Sequence, residues 1–162
     1  MGNVQMLLRQ HVGAPCAPCV EVGAEVKKGT LIATPTGLGA NIFSSVYGKV
    51  TEITEDRIII EPAAEQPDEF VPVTESVEGI TDESSKLDLV KAAGIVGMGG
   101  AGFPTHIKLA VRNPKRIHYV LINGTECEPY MTSDYRRMLE SPECLVEGLR
   151  IVLSLFERAT GI

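Results

Sequence analysis

Short alternating runs of apolar and polar residues, separated by glycine-bearing turns, fill the first sixty residues of the chain. Residues 20–22 alternate, and residues 30–33, 44–50 and 57–60 follow as further apolar or alternating runs. Strands of four to five residues between glycine turns are typical of small antiparallel β barrels and sandwiches. The pattern therefore predicts an all-β domain over residues 1–62.

The pattern changes after residue 83 to helical spacing and one continuous apolar run. Ser84 or Ser85 is a candidate N-cap for a helix that Gly94 would end, and Pro104 is suited to the first position of a short helix. Residues 117–122 are apolar apart from His118 and rich in β-branched residues, which predicts a strand buried on both faces.

A last helix is predicted to begin at Ser141 and Pro142, a cap followed by a first-turn proline. One face of it carries four apolar residues at helical spacing: Leu145, Leu149, Val152 and Phe156. Gly161 is suited to the position after the helix end. Helix, strand and helix together predict part of an α/β layer over residues 84–162.

An acidic segment separates these two regions. Residues 51–89 hold twelve acidic and two basic residues, a local charge of −10 in a chain of net charge −6. Prolines and a high charge density disfavour a packed element, so residues 63–83 are predicted to form a solvated linker. An acidic protein repels phosphate backbones, and tryptophan is absent, so nucleic acid is not expected as a partner.

The hydropathy of the chain predicts where in the cell the protein is located. No apolar run approaches the roughly 20 residues that a membrane-spanning helix needs, and residues 1–9 lack the apolar core of a signal peptide. The sequence predicts a cytoplasmic protein without a membrane span of its own, or a cytoplasmic piece of a larger one.

Two of the four cysteines form a Cys-Ala-Pro-Cys motif at Cys16 and Cys19. No second Cys-x-x-Cys completes a zinc site, and the three histidines have no ligand spacing, so no metal site is expected. The pair is either a redox dithiol or two small apolar residues in the barrel. We expect both thiols to be unbridged and free of metal.

A glycine loop, residues 97–102, holds four glycines in six residues. Each glycine costs roughly 0.5–1 kcal/mol against alanine in a regular element, so the loop does not serve helix or strand stability. A backbone without Cβ atoms can lie flat against a planar ring or a phosphate, and Lys108 in the next helix can reach an anion. The alternative is a tight turn without a ligand.

Polar residues follow the predicted buried strand. Asn123 and Glu126 can hydrogen-bond a ring edge or a ribityl chain, and Glu128 can accept a hydrogen bond from a ribose hydroxyl. Ligands collect at the carboxyl ends of strands in open α/β sheets. The alternative is a polar turn in which Asn123 bonds to its own backbone.

The first domain resembles the lipoyl/biotinyl barrel-sandwich family over "VEVGAEVKKGTLIA" and "SSVYGKVTEI". Carrier members of that family present a modifiable lysine on the hairpin between the two halves. Residues 34–43 fill this position here and contain no lysine. The departure argues against a swinging-arm carrier and favours a structural or docking role.

The segments "GIVGMGGAGFPTHIKL" and "YVLINGTECEPYMTSDYRRMLE" resemble the C subunit of the Rnf electron transport complex and its soluble relatives. These include the cobalamin reductase of propanediol utilisation and an electron-transfer protein of clostridial proline reductase. The flavoprotein subunit of respiratory complex I is a more distant relative. The resemblance implies a mixed β and α/β fold: a barrel-sandwich hybrid domain, then the first part of a flavin-binding α/β domain.

The resemblance also implies site residues and cofactors. It assigns FMN binding to Gly97, Gly99, Gly100, Lys108, Asn123 and Glu126, and NADH binding to Phe103 and Glu128, with no catalytic acid or base. Two positions depart from the complex I pattern, since Met98 replaces an arginine and Thr125 an aspartate. These departures weaken the case for phosphate and ribityl contacts identical to those of complex I.

Electrons are expected to pass from NADH through FMN to iron–sulfur clusters and to other electron-transfer subunits or a reductase. The clusters lie in a downstream region that the family has and this chain lacks, so the chain is expected to be an amino-terminal fragment with weak or no FMN retention. The alternatives are a docking module without flavin and a carrier domain.

Overall fold

A computed structural model describes residues 2–98 and 100–162, which divide after Ala110 into two compact units. In its described part, the first unit has two antiparallel sheets. Their strands are β1 (Val4–Leu7), β2 (Cys16–Pro18), β3 (Glu25–Val26), β4 (Leu31–Pro35), β5 (Ile42–Phe43), β6 (Gly48–Ile53) and β7 (Arg57–Pro62). One sheet has the order β1-β7-β6-β3 and the other β2-β4-β5.

The core of the first unit lies between these sheets, and alternation along the strands fills it. In β7, Ile58 and Ile60 are fully buried, whereas Ile59 between them is half-buried. Ile60 pairs with Val4 on one side and with the buried Val50 on the other. Burying one such side chain contributes about 1.5–3 kcal/mol.

The predicted strands at residues 30–33 and 57–60 correspond to β4 and β7, whereas the predicted strand at residues 44–50 overlaps β6 only from Gly48 onward. The predicted strand at residues 20–22 is wrong. These residues lead into a turn at Gly23, which has φ +94° and whose N–H donates to the Val50 carbonyl (2.7 Å). Val22 is 60% exposed. Alternation over three residues is too short to distinguish a strand from the approach to a turn.

Two helices complete the first unit, α1 (Glu83–Ala92) and α2 (Thr105–Leu109). The N-cap of α1 is Asp82, whose carboxylate accepts the Ser85 N–H (2.9 Å), so the prediction of a serine cap is off by two or three residues. Gly94 ends the helix in a left-handed conformation, φ +66°, as predicted. The short helix after Pro104 is confirmed as α2.

The acidic segment has no helix or strand over residues 63–82, yet it is attached to the barrel. Gln66 exchanges two hydrogen bonds with the backbone of Tyr47, and the Val71 N–H donates to the Lys28 carbonyl (2.8 Å). Lys28 also pairs with Asp68 (3.4 Å). The boundary between the two compact units falls after Ala110, because the acidic segment packs with the first unit. The domain boundaries predicted from the sequence, after residues 62 and 83, stay a prediction.

The second unit contains a 3₁₀ turn (Pro114–Arg116), β8 (Tyr119–Val120), α3 (Ser133–Glu140), α4 (Pro142–Leu153) and β9 (Thr160–Gly161). The half-buried face of α4 is the predicted one, and it continues to the buried Phe156. The sequence pattern missed α3. Gly161 lies in β9 and not at a helix end, so that prediction is wrong.

The prediction of a strand buried on both faces is also wrong. β8 covers two residues and pairs in parallel with β9. Tyr119 is 65% exposed and Leu121 70% exposed, and the side chain of His118, predicted to lie in this buried strand, is exposed as well. Continuous apolar sequence requires covering elements on both sides, and the described part of the second unit places none on these side chains. No helix in the described ranges is long and apolar enough to cross a membrane.

Candidate functional site

The glycine loop is closed at its base by backbone pairing. Val96 and Pro104 form an antiparallel bridge, the Gly97 N–H donates to the Phe103 carbonyl (2.9 Å), and the Thr105 N–H donates to the Ile95 carbonyl (2.9 Å). Gly99 lies outside the described residues. The loop is thus a hairpin-like projection that ends where α2 begins.

Gly102 fixes the far side of this loop against the barrel. It is buried with φ +66°, and a Cβ placed on it would lie 2.9 Å from His11 Cα. Next to it, the Val12 N–H donates to the Ala101 carbonyl (2.8 Å). Gly102 is therefore glycine because of the fold, a reason that the sequence did not reveal.

A cavity of about 340 Å³ lies between the loop and the barrel. Gln10, His11 and residues 40–42 line one side, and glycines 94, 97, 100 and 102 with Met98 line the other. Its volume is at the lower end of the range of roughly 300–1,000 Å³ for ligand pockets. The cavity belongs entirely to the first unit.

Gly97 and Gly100 differ from Gly102 because the protein leaves room for a side chain at both. A Cβ on Gly97 would make only ordinary contacts with the Phe103 backbone (3.8 and 3.9 Å), and a Cβ on Gly100 would meet nothing within 4 Å. Both residues line the cavity. Packing within the fold therefore does not require glycine at either position, and bare backbone beside the cavity fits a flat group lying against the loop.

Two other residues expected at the site do not line this cavity. Phe103, expected to contact NADH, is 43% exposed beside the loop base. Lys108, expected to reach the phosphate of FMN, is exposed on α2.

The remaining expected site residues belong to the second unit, where their hydrogen bonds are local. Asn123 Oδ1 accepts the Thr125 N–H (3.0 Å), the self-bonded turn that was the alternative interpretation. Glu126 Oε2 accepts the Asp134 N–H (3.0 Å) in the first turn of α3. Glu128 is exposed, and its carbonyl accepts the Met131 N–H (3.2 Å).

The two cysteines of the Cys-Ala-Pro-Cys motif lie in different surroundings and are not bridged. Cys16 is buried in the barrel core, and its Sγ lies 3.4 Å from His11 Nε2 and donates to the Ala40 carbonyl (3.3 Å). Cys19 is exposed. Burial raises the pKa of both thiols, and Cys19 adds to the effect on Cys16. The apolar-filler interpretation therefore holds for Cys16 alone.

His106, in α2, is the other histidine with a distinctive environment. Its Nδ1 atom is buried and makes no hydrogen bond within the described part of the chain. Burial lowers the pKa of this imidazole, and Lys91 lowers it further, while Asp88 opposes the effect. These surroundings therefore favour the neutral form of the His106 imidazole.

Comparison with known families finds two matches that together cover most of the chain. The RnfC barrel sandwich hybrid domain matches residues 2–73, and the Nuo51 FMN-binding domain matches residues 90–162. These matches confirm the predicted fold class, although in the described residues the first domain has two sheets rather than a closed barrel.

Curated relatives give the same picture. The chain is 42% identical over 160 residues to the C subunit of the proton-translocating ferredoxin:NAD(+) oxidoreductase complex of Clostridium ljungdahlii. This alignment covers 91% of the chain and 35% of the relative. It is 37% identical to the Na(+)-translocating counterpart of Acetobacterium woodii, over 88% of this chain and 34% of the relative. The C subunit of the ion-translocating oxidoreductase complex of Pseudomonas aeruginosa is 38% identical over 91% of the chain and 20% of the relative. The chain thus spans between a fifth and about a third of these relatives.

Proposed function

Because the chain belongs to the RnfC family, with its barrel sandwich hybrid domain followed by a Nuo51-type FMN-binding domain, we propose that its glycine loop holds FMN in an electron-transfer protein. In the complete protein, electrons would flow from NADH through FMN towards iron–sulfur centres. The observation that carries the proposal is the bare backbone of Gly97 and Gly100 beside the cavity, at positions where packing within the fold does not require glycine.

In this proposal, the residues that line the cavity bind the flavin and exclude water from it. The cavity is lined on one side by loop backbone and on the other by the barrel, so a planar group inserted there would be shielded from water on two sides. Bound FMN supplies the redox chemistry, because a flavin accepts a hydride as an electron pair and can release electrons singly. The chain supplies position and electrostatics, and no residue of it is required as an acid or base.

The further contacts rest on the resemblance. Lys108, Asn123 and Glu126 are proposed for FMN, and Phe103 and Glu128 for NADH. The side chains of Asn123 and Glu126 and the carbonyl of Glu128 each accept a local backbone hydrogen bond, which orders their loop without a ligand. Preorganisation of this kind reduces the ordering cost of binding.

The partners follow from the relatives, which are subunits of ion-translocating complexes. We place the complete protein at the cytoplasmic side of such a complex, attached through neighbouring subunits to which it passes electrons. The remaining candidate is a docking module that has lost the flavin.

A titration of FMN into the complete protein, followed by quenching of flavin fluorescence, tests the proposal. Gly97→Val would put a branched side chain into the cavity, and overpacking costs about 1–3 kcal/mol, or a roughly 5- to 150-fold weaker affinity. Gly37→Val is the matched control, since a Cβ there meets only Ala14 Cβ at 3.4 Å, away from the cavity. Equal FMN affinity in both variants and the parent, or no FMN binding by the parent, would favour the docking module.

A further inference from the structure

Two segments of the barrel, residues 10–12 and 39–42, hold both ends of the glycine loop. At the far end, the Val12 N–H donates to the Ala101 carbonyl (2.8 Å), and Gly102 lies so close to His11 that a Cβ would be 2.9 Å from its Cα. At the near end, Asn41 Nδ2 donates to the Ala92 carbonyl (3.0 Å). The last carbonyls of a helix have no partner within it, so Asn41 satisfies one of these in α1.

The contact at the near end is as close as at the far end. A Cβ on Gly94 would lie 2.5 Å from the Asn41 carbonyl oxygen, so the chain turns out of α1 directly against the barrel backbone. The loop begins three residues later. Its path is therefore set at both ends by barrel atoms, and not by the loop's own sequence.

His11 joins the two barrel segments to each other. The ring is 7% exposed. Nε2 accepts the Ala40 N–H (3.2 Å) and lies 3.0 Å from the Ala40 carbonyl oxygen, and Nδ1 lies 3.1 Å from the Val12 carbonyl oxygen. A side chain on Gly39 would collide with the ring. The imidazole thus fixes the distance between residues 10–12, which contact Ala101, and residues 39–42, which contact Ala92.

We propose that His11 and Asn41 are positioning residues that hold the glycine loop in the shape that lines the cavity. The turn between β4 and β5, where carrier domains present a lysine, serves here as the anchor for that loop. Glycine loses more conformational freedom on ordering than any other residue, so a loop with four of them needs such external contacts to stay preorganised. The expected effect on FMN affinity rests on the proposed function; the effect on the loop does not.

Hydrogen exchange of three amides measures the loop directly: Gly97, Thr105 and Val12, whose N–H groups close the loop base and its contact with the barrel. Asn41→Asp keeps the shape but removes the donor, and His11→Ala removes the link between the segments. We expect these amides to exchange about tenfold faster in both variants, as for the loss of one buried hydrogen bond. In the complete protein, the FMN dissociation constant should rise by a similar factor.

Two variants separate positioning from general stability. His11→Gln keeps an acceptor for the Ala40 N–H and should restore both readouts to near the parent. Gln66→Glu removes an amide that likewise donates to barrel backbone, the Tyr47 carbonyl (2.7 Å), but away from the loop, and should change neither. The core amides of Ile58 and Ile60 report whether the barrel remains folded; if His11→Ala fails to fold, Asn41→Asp decides.

Unchanged exchange of the three amides in Asn41→Asp would overturn the inference. If the parent binds FMN, faster exchange in the variants with no loss of their FMN affinity would overturn it as well. A complete protein that binds no FMN would refute the proposed function, while the amide measurements would still decide whether His11 and Asn41 position the loop.

Discussion

Replacement of Gly102 by alanine is predicted to destabilise the first unit strongly. The residue is buried with φ +66°, a conformation that costs an L-residue about 1–2 kcal/mol. The added Cβ would also lie 2.9 Å from His11 Cα and 3.0 Å from the Gln10 carbonyl oxygen, both backbone atoms. Overpacking of this kind costs about 1–3 kcal/mol. The expected loss in free energy of unfolding is therefore about 2–5 kcal/mol.

A urea titration followed through the amide signals of Ile58 and Ile60 measures this loss, because both residues lie in the core of the first unit. Gly97→Ala is the control. The φ of Gly97 is outside the left-handed region, and an added Cβ would make only ordinary contacts. Gly97→Ala should therefore raise the free energy of unfolding by up to about 1 kcal/mol. Equal midpoints for Gly102→Ala and Gly97→Ala would refute the account of Gly102.

The remaining predictions concern other parts of the chain. A Cβ added to Gly148, inside α4, would meet nothing within 4 Å, so Gly148→Ala should stabilise the second unit by about 0.5–1 kcal/mol in a urea titration. The pKa of His106 is lowered in the folded state, so the unfolded state binds the proton more readily and stability should fall as pH drops below the ordinary value of 6.5; His106→Gln should flatten that dependence in melting curves from pH 5 to 8. Iodoacetamide should alkylate Cys19 and spare Cys16, and the double variant Cys16→Ala, Cys19→Ala should retain electron transfer in the complete protein, where a loss without unfolding would assign the pair a redox role.

The sequence predicted those strands and helices whose signals are local. β7 has three consecutive isoleucines, and α4 opens with serine and proline and carries an apolar face, so both were located. The burial of residues 117–122 was not predicted correctly, because burial depends on what packs against a strand and not on its own composition. The missed helix α3 has apolar residues at helical spacing, Tyr135, Met138 and Leu139, but it is only eight residues long, and helical periodicity is recognised over longer windows.

The site divides in the same way. Four glycines in six residues located the loop, and the resemblance named its ligand. What the sequence could not reveal was that Gly102 packs against the barrel, while a Cβ would fit at both Gly97 and Gly100. The contacts of His11 and Asn41 join residues that are 29 and 51 positions apart, and no local pattern encodes such pairs.

The turn between β4 and β5 contains no lysine, and most of its residues are held by contacts within the first unit. A carrier lysine must project from a free hairpin, but here Gly39, Ala40 and Ile42 are buried and Asn41 is bonded to the end of α1. Only residues 36–38, at the tip of the turn, are exposed, and they offer no amine. A lysine introduced at Gly39 would collide with the buried ring of His11 and would release the segment that holds the glycine loop. Residues held in this way cannot at the same time project as a swinging arm, so the contacts of the turn and the absence of a lysine from residues 34–43 both argue against a carrier role.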